Sequence, residues 1–235
     1  MTPRERLTEI LAKRITDFLQ EEGFKFNANK SQFTKNINEI RQIIYFEGSK
    51  WNYANAVADY QLLCRIEIKK FPNWYLRIYK TNQATHHQTK ITEKSIHRPI
   101  PSEGYHDNWD KNGQSNRKYE LTEFSSVVVE ESMYKNLKEC ILPYLKTCST
   151  YTGIAEQAKH PLDKFDFYMM DNNSKTGESV LKQALETIRK IDMSEVDASD
   201  DFRINSLKNT ENMLNIRINT FFPNLKKIKL ELPKS

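Results

Sequence analysis

The sequence predicts an α+β protein: an antiparallel meander sheet of four to six strands, an N-terminal helix on one face, and a helical C-terminal portion. Three observations carry that expectation. Apolar residues recur at helical spacing over residues 3–22, alternate with polar ones between residues 24 and 80, and return to helical spacing beyond residue 124. At 235 residues the chain suits one large domain or a domain with a helical extension. An α+β domain is expected over 1–150 and a mainly helical extension over 151–235, packed on the first part.

Thr2-Pro3-Arg4-Glu5 supplies a capping oxygen, a proline at the first helical position and a glutamate that reaches back to the cap, while Gly23 supplies a left-handed stop. Leu7, Ile10, Leu11, Ile15, Phe18 and Leu19 form the buried stripe between them. Four strands are expected at about 32–35, 39–47, 61–70 and 74–80, with turns at Asn36–Asn38 and Pro72-Asn73. The connection after Gly48 is longer and carries Trp51 and Tyr53. Residues 81–118 are polar, and Asn112-Gly113 predicts a hairpin joining Tyr105–Lys111 to Gln114–Leu121. Phe124 to Leu145 reads as a helix that Pro143 should kink or end. A second helix follows Thr176, an acidic linker spans Asp192 to Asp201, and a third helix covers Phe202 to Phe222, with an ambiguous end because Leu214, Ile216 and Ile218 also alternate like a strand. Ile228, Leu230 and Leu232 suggest a last strand.

Composition excludes several classes. At 38% hydrophobic and 29% charged residues, the chain is too apolar for wholesale disorder. No apolar run approaches the roughly 18 residues that a membrane span requires, and Met1-Thr2-Pro3-Arg4-Glu5 lacks the apolar core of a signal peptide. The expected location is cytoplasmic, without a membrane partner. Cys64, Cys140 and Cys148 have neither the number nor the spacing of a disulfide framework or zinc ribbon. Six isolated glycines leave no phosphate-cradling loop, and a net charge of +5 biases encounters toward anions without forming a basic arm.

One surface stands out. In the strand near 62–70, Leu62, Cys64, Ile66 and Ile68 share a face opposed to Arg65, Glu67 and Lys69. Trp74, Leu76 and Ile78 are expected to oppose Tyr75, Arg77 and Tyr79 in the same way. Ile40, Ile44 and Phe46 join the apolar face, and Arg41 and Tyr45 the polar one. Tyr45, Arg65, Lys69, Tyr75, Arg77 and Tyr79, edged by Trp51, Arg98 and Trp109, therefore form the candidate binding surface. Tyrosine interleaved with arginine can anchor a protein or stack on bases. Cross-strand Tyr–Arg and Glu–Lys pairs can equally furnish a solvated sheet face, since such pairs contribute roughly 0.2–1 kcal/mol each.

The N-terminal pattern is a helix followed by Glu21-Glu22-Gly23-Phe24-Lys25, Phe33, Ile43-Ile44-Tyr45-Phe46 and Ser49-Lys50-Trp51-Asn52. With His97-Arg98, Trp109 and Ile141-Leu142-Pro143-Tyr144-Leu145, it resembles the bacterial family catalogued as domain of unknown function 4304 over about residues 1–150. The resemblance implies a fold and no chemistry. The chain departs from it in its polar 81–96 segment and in Arg98-Pro99-Ile100-Pro101, whose prolines would break an inner strand.

Other constellations favour ordinary roles. His86, His87, His97 and His106 lack a ligand spacing. Asn108, Asp110, Asn112 and Gly113 imitate a calcium loop, but Tyr119 stands where the bidentate glutamate belongs. The acidic group from Asp192 to Asp201 reads as a linker, with Asp200 or Asp201 near a helix N-terminus. No cofactor and no metal are expected. The residues point to a non-catalytic binding protein that engages another protein, an immunity-like or regulatory role being one concrete form. Single-stranded nucleic-acid binding is the alternative. An enzyme using dispersed residues such as His97, Arg98 and Asp110 is the third class.

Overall fold

The computed structural model describes residues 2–48, 52, 58–80, 90–95, 105–109, 115–122, 126–158, 160–191, 196–197 and 199–230. The chain forms two compact units: Met1–Phe71 with His87–Ser149, and Pro72–His86 with Thr150–Ser235. One division falls near residue 150. The other does not follow the sequence pattern, because residues 72–86 belong with the C-terminal helices.

The first unit begins with α1 (Pro3–Ile10), continues through a π-helical turn at Leu11–Ile15, and ends as α2 (Thr16–Glu21). Thr2 Oγ1 accepts from the Glu5 amide, and the Thr2 amide donates back to Glu5, as the capping pattern requires. Gly23, at φ 84°, ends the run in the left-handed region that glycine enters at no steric cost. Leu7, Leu11, Ile15 and Leu19 are fully buried.

The sheet is antiparallel throughout its described pairings: β1 (Lys25–Asn27), β2 (Gln32–Ile37), β3 (Ile40–Gly48), β4 (Ala58–Ile68), β5 (Lys90–Ser95), β6 (Tyr105–Trp109) and β7 (Ser115–Leu121). Its order is β1-β2-β3-β4-β7-β6, with β5 also paired to β4. The seven strands exceed the four to six expected, because β4 is long enough to pair β5 along Leu63–Glu67 and β7 along Ala58–Tyr60. Asn38, at φ 52°, makes the tight turn that brings Ile37 opposite Ile40. The hairpin predicted from Asn112-Gly113 is present, with Trp109 opposite Ser115.

After β7 the chain forms α4 (Ser126–Asn136), a π-helical turn at Leu137–Ile141, and α5 (Leu142–Thr147). Of the two expected effects of Pro143, ending the helix does not occur. The π turn immediately before it widens the hydrogen-bond ladder where proline supplies no donor, so the helix passes through. Asn136 donates to the hydroxyl of the buried Tyr119, tying α4 to β7.

The second unit is helical wherever it is described as regular structure: α3 (Phe71–Tyr79), from Pro72 onward, then α6 (Tyr151–Gln157), α7 (Pro161–Met170), α8 (Ser174–Arg189) and α9 (Asp201–Phe221). Side chains of Thr150, His160, Asn173 and Asp200 cap the last four. The expected last strand is absent from the described residues up to 230. The Ile228 amide and carbonyl instead pair with the Asn215 side chain, and the Leu230 amide donates to Glu211, so α9 supplies partners that a strand would have needed. Among the described residues, no helix is long and apolar enough to cross a membrane.

Candidate functional site

The strand expected at 74–80 is the helix α3, and the face built on it does not exist as drawn. Phe71, Tyr75 and Tyr79 are buried at four-residue spacing, whereas Leu76, assigned to the apolar side of a strand, is 46% exposed. Pro72 falls in the first helical turn, where its missing donor costs nothing, so it begins the helix instead of forming a turn. Lys80, at φ 52°, donates its amide to the Leu76 carbonyl and terminates it. Tyr75 and Tyr79 therefore cannot offer a stacking surface, and Arg77 is exposed on the opposite side of α3 from them.

Of the other predicted residues, β3 and β4 bring Tyr45 and Arg65 together. The Arg65 guanidinium lies 5.0 Å from the Tyr45 ring centroid, and its Nε donates to Glu67 Oε1 at 3.1 Å. Arg41 also reaches Glu67, at 3.4 Å. The two arginines share one carboxylate on a face whose centre, Ile43 and Leu63, is already buried. This is the arrangement of a sheet face satisfied by its own cross-strand pairs. Lys69 is exposed just beyond β4, and Trp109 ends β6. Trp51 and Arg98 lie outside the described residues, as do His86, His87, His97 and Asp110.

Tyr75 and Tyr79 instead join a buried ionic network in the second unit. Arg217 and Asp166 are both fully buried, and Arg217 donates from Nε at 3.0 Å and from Nη2 to the two oxygens of Asp166. Its Nη1 reaches the Met213 carbonyl at 3.1 Å, and the Tyr79 hydroxyl donates to Asp166 Oδ1 at 2.5 Å. The guanidinium lies 4.9 Å from the Tyr79 ring centroid. Burial works against its charge, but the adjoining Asp166 carboxylate more than offsets this and raises the arginine pKa. Burial, then Asp166, pushes the Tyr79 phenol well up. Sealed from solvent, this network fastens α3 to α7 and α9; it is not a reaction site.

The first unit holds a more accessible constellation. Between the end of α2 and α5 lies a cleft of about 520 Å³, floored by Lys35 of β2 and Gln42 of β3. Gln42 interrupts the apolar alternation Ile40, Ile44, Phe46, and it is almost fully buried. Its Nε2 donates to the Leu145 carbonyl at 2.5 Å and to Ser149 Oγ at 3.2 Å. Phe24, Leu142 and Leu145 contribute apolar wall. Three lysines, Lys35, Lys138 and Lys146, line it together with one acidic residue, Glu22. Lys35 donates to the Glu22 carbonyl at 2.7 Å and lies 5.6 Å from the Phe24 ring centroid, neutralising the negative end of α2. Lys138 and Lys146 are exposed and form no ion pair among the described residues.

Sequence reading missed both constellations, although each leaves a trace. Gln42 is a polar residue in an apolar strand register, and Arg217 sits on the α9 stripe of Ile204, Leu207, Leu214 and Ile218. Asp166 stands between Phe165 and Phe167. A charged or amide side chain on an otherwise apolar stripe is the usual mark of a buried polar link.

The described residues contain no cluster of three or more His, Cys, Asp or Glu side chains able to hold a metal. Cys64 and Cys148 are buried, and burial, then Glu139, pushes the Cys140 thiol up, away from a reactive thiolate. His160 caps α7 through Nδ1, which accepts from the Leu162 amide. Asp197 accepts twice from Ser199, and Asp200 caps α9 by accepting from the Arg203 amide. Comparison with protein-family models, curated proteins and solved structures finds no match to the chain.

Proposed function

We propose that this chain is a non-catalytic bacterial binding protein, related to the family of domain of unknown function 4304, and that its first unit engages a macromolecular partner. One observation carries the reading: Lys138 and Lys146, without ion-pair partners among the described residues, flank an apolar-walled cleft with an amide at its floor. The cleft falls within the usual 300–1,000 Å³ range of binding pockets, and its cations complement an anionic partner. Tyr45 and Arg65 are less suited, because Glu67 already holds the arginine. A protein partner fits an immunity-like or regulatory role. The test is affinity capture from a lysate of the source organism with the wild-type chain and with Lys138→Glu/Lys146→Glu. Both lysines are exposed, so the variant should melt like wild type yet lose the captured macromolecule. Equal recovery by the two proteins would overturn the assignment to this cleft.

A further inference from the structure

We infer that the cleft takes an extended acidic peptide segment of a partner protein, with one apolar side chain between two carboxylates. The inference rests on the binding role proposed above and specifies the ligand. Lys138 and Lys146 are eight positions apart along one helical run, about 12 Å at 1.5 Å per residue. An extended peptide advances about 3.3 Å per residue and alternates its side chains between two faces, so carboxylates four positions apart lie on one face and match that span. Leu142, partly exposed and four positions from each lysine, supplies the apolar contact for a side chain midway between those carboxylates. Lysine ammonium groups act as compact point charges on such carboxylates.

Two observations disfavour a nucleic-acid strand. The cleft is lined by lysines and contains no arginine among its lining residues, although arginine is the usual bidentate reader of phosphate. Its aromatic residues are engaged as well: Phe18 lies 4.7 Å from Tyr134 between ring centroids, and Phe24 is buried beneath Lys35. Stacking of successive bases needs open ring faces, and the buried Phe24 presents none.

The test selects a random peptide display library on the full chain and remeasures the best sequence as a synthetic peptide. Enriched sequences should carry Asp or Glu four positions apart with an apolar residue midway between them. Affinity should fall at least tenfold with Lys138→Glu/Lys146→Glu, at least tenfold when the central apolar residue becomes alanine, and steeply with added salt. Lack of enrichment, enrichment without acidic residues, or equal binding by polyglutamate of the same charge would overturn the inference. A single-stranded oligonucleotide that displaces the peptide at equal concentration would also overturn it, by assigning the cleft to nucleic acid. If selected peptides ignore the two lysines while lysate capture depends on them, the peptide inference fails and the binding cleft stands. If neither depends on them, both fail.

Discussion

Replacing Asp166 with asparagine should reveal how strongly the second unit depends on one buried ion pair. The substitution leaves the Arg217 guanidinium in place, fully buried, with the Met213 carbonyl as its remaining backbone acceptor. Removing one partner of such a pair costs about 3–5 kcal/mol, because the other charge stays desolvated without compensation. Tyr79 tightens this case, since its hydroxyl donates to the same carboxylate. In urea denaturation followed at 222 nm, a slope of about 2 kcal/mol per M converts that loss into a midpoint about 2 M lower. The apolar triple replacement Asp166→Leu, Arg217→Met, Tyr79→Phe removes both charges and the dependent hydroxyl together. It should recover to within about 2 kcal/mol of wild type, because well-packed apolar groups often replace a buried pair at little cost. A loss below about 1 kcal/mol for Asp166→Asn, or a triple variant as unstable as the single, would refute the reasoning.

A fragment of residues 150–235 should remain unfolded, because it lacks the Tyr75 and Tyr79 side chains buried in that unit; a synthetic 70–86 peptide should restore helical circular dichroism. Spontaneous folding of the bare fragment would show α3 to be dispensable. Burial pushes Tyr119 up to about 12, opposed by its hydrogen bonds to Asn136 and Ser132. Its folded pKa exceeds the ordinary value near 10, so its stabilisation is complete below about pH 10 and is lost as pH rises toward 12. The loss should reach about 2–3 kcal/mol. Tyr119→Phe should flatten that alkaline decline in melts between pH 9 and 12, whereas an unchanged slope would count against the burial argument. Gln42→Leu should destabilise the chain by about 1–2 kcal/mol through loss of its bonds to Leu145 and Ser149. A gain in denaturation midpoint would show that the amide is tolerated at a net cost.

The sequence made local features legible where one signal dominated. Thr2, Glu5 and Gly23 delimit the first helical run because capping chemistry acts within a single turn. Asn112-Gly113 identified the β6–β7 hairpin for the same reason. Residues 74–79 failed because Trp74, Leu76 and Ile78 satisfy a period of two while Phe71, Tyr75 and Tyr79 satisfy a period near four. Only packing selected the second, and with it went half of the expected binding face. α6 and α7 went unrecognised although Thr150 and Pro161 mark their starts. The lysine cleft was illegible for another reason: Lys35, Lys138 and Lys146 line one cleft only once Gln42 of β3 meets Leu145 and Ser149, a long-range contact that no local pattern encodes.

The excursion of α3 into the second unit also sets an order of events during synthesis. Tyr79 precedes Asp166 by 87 positions, and Tyr75 precedes Met213 by 138. At about 5–20 residues per second, the ribosome leaves these tyrosines without their partners for roughly 4 to 28 seconds. The nascent chain thus holds an aromatic helix face in waiting while β5, β6, β7 and the helices that follow are being made. That interval is long compared with hydrophobic collapse and gives chaperones a defined segment to guard.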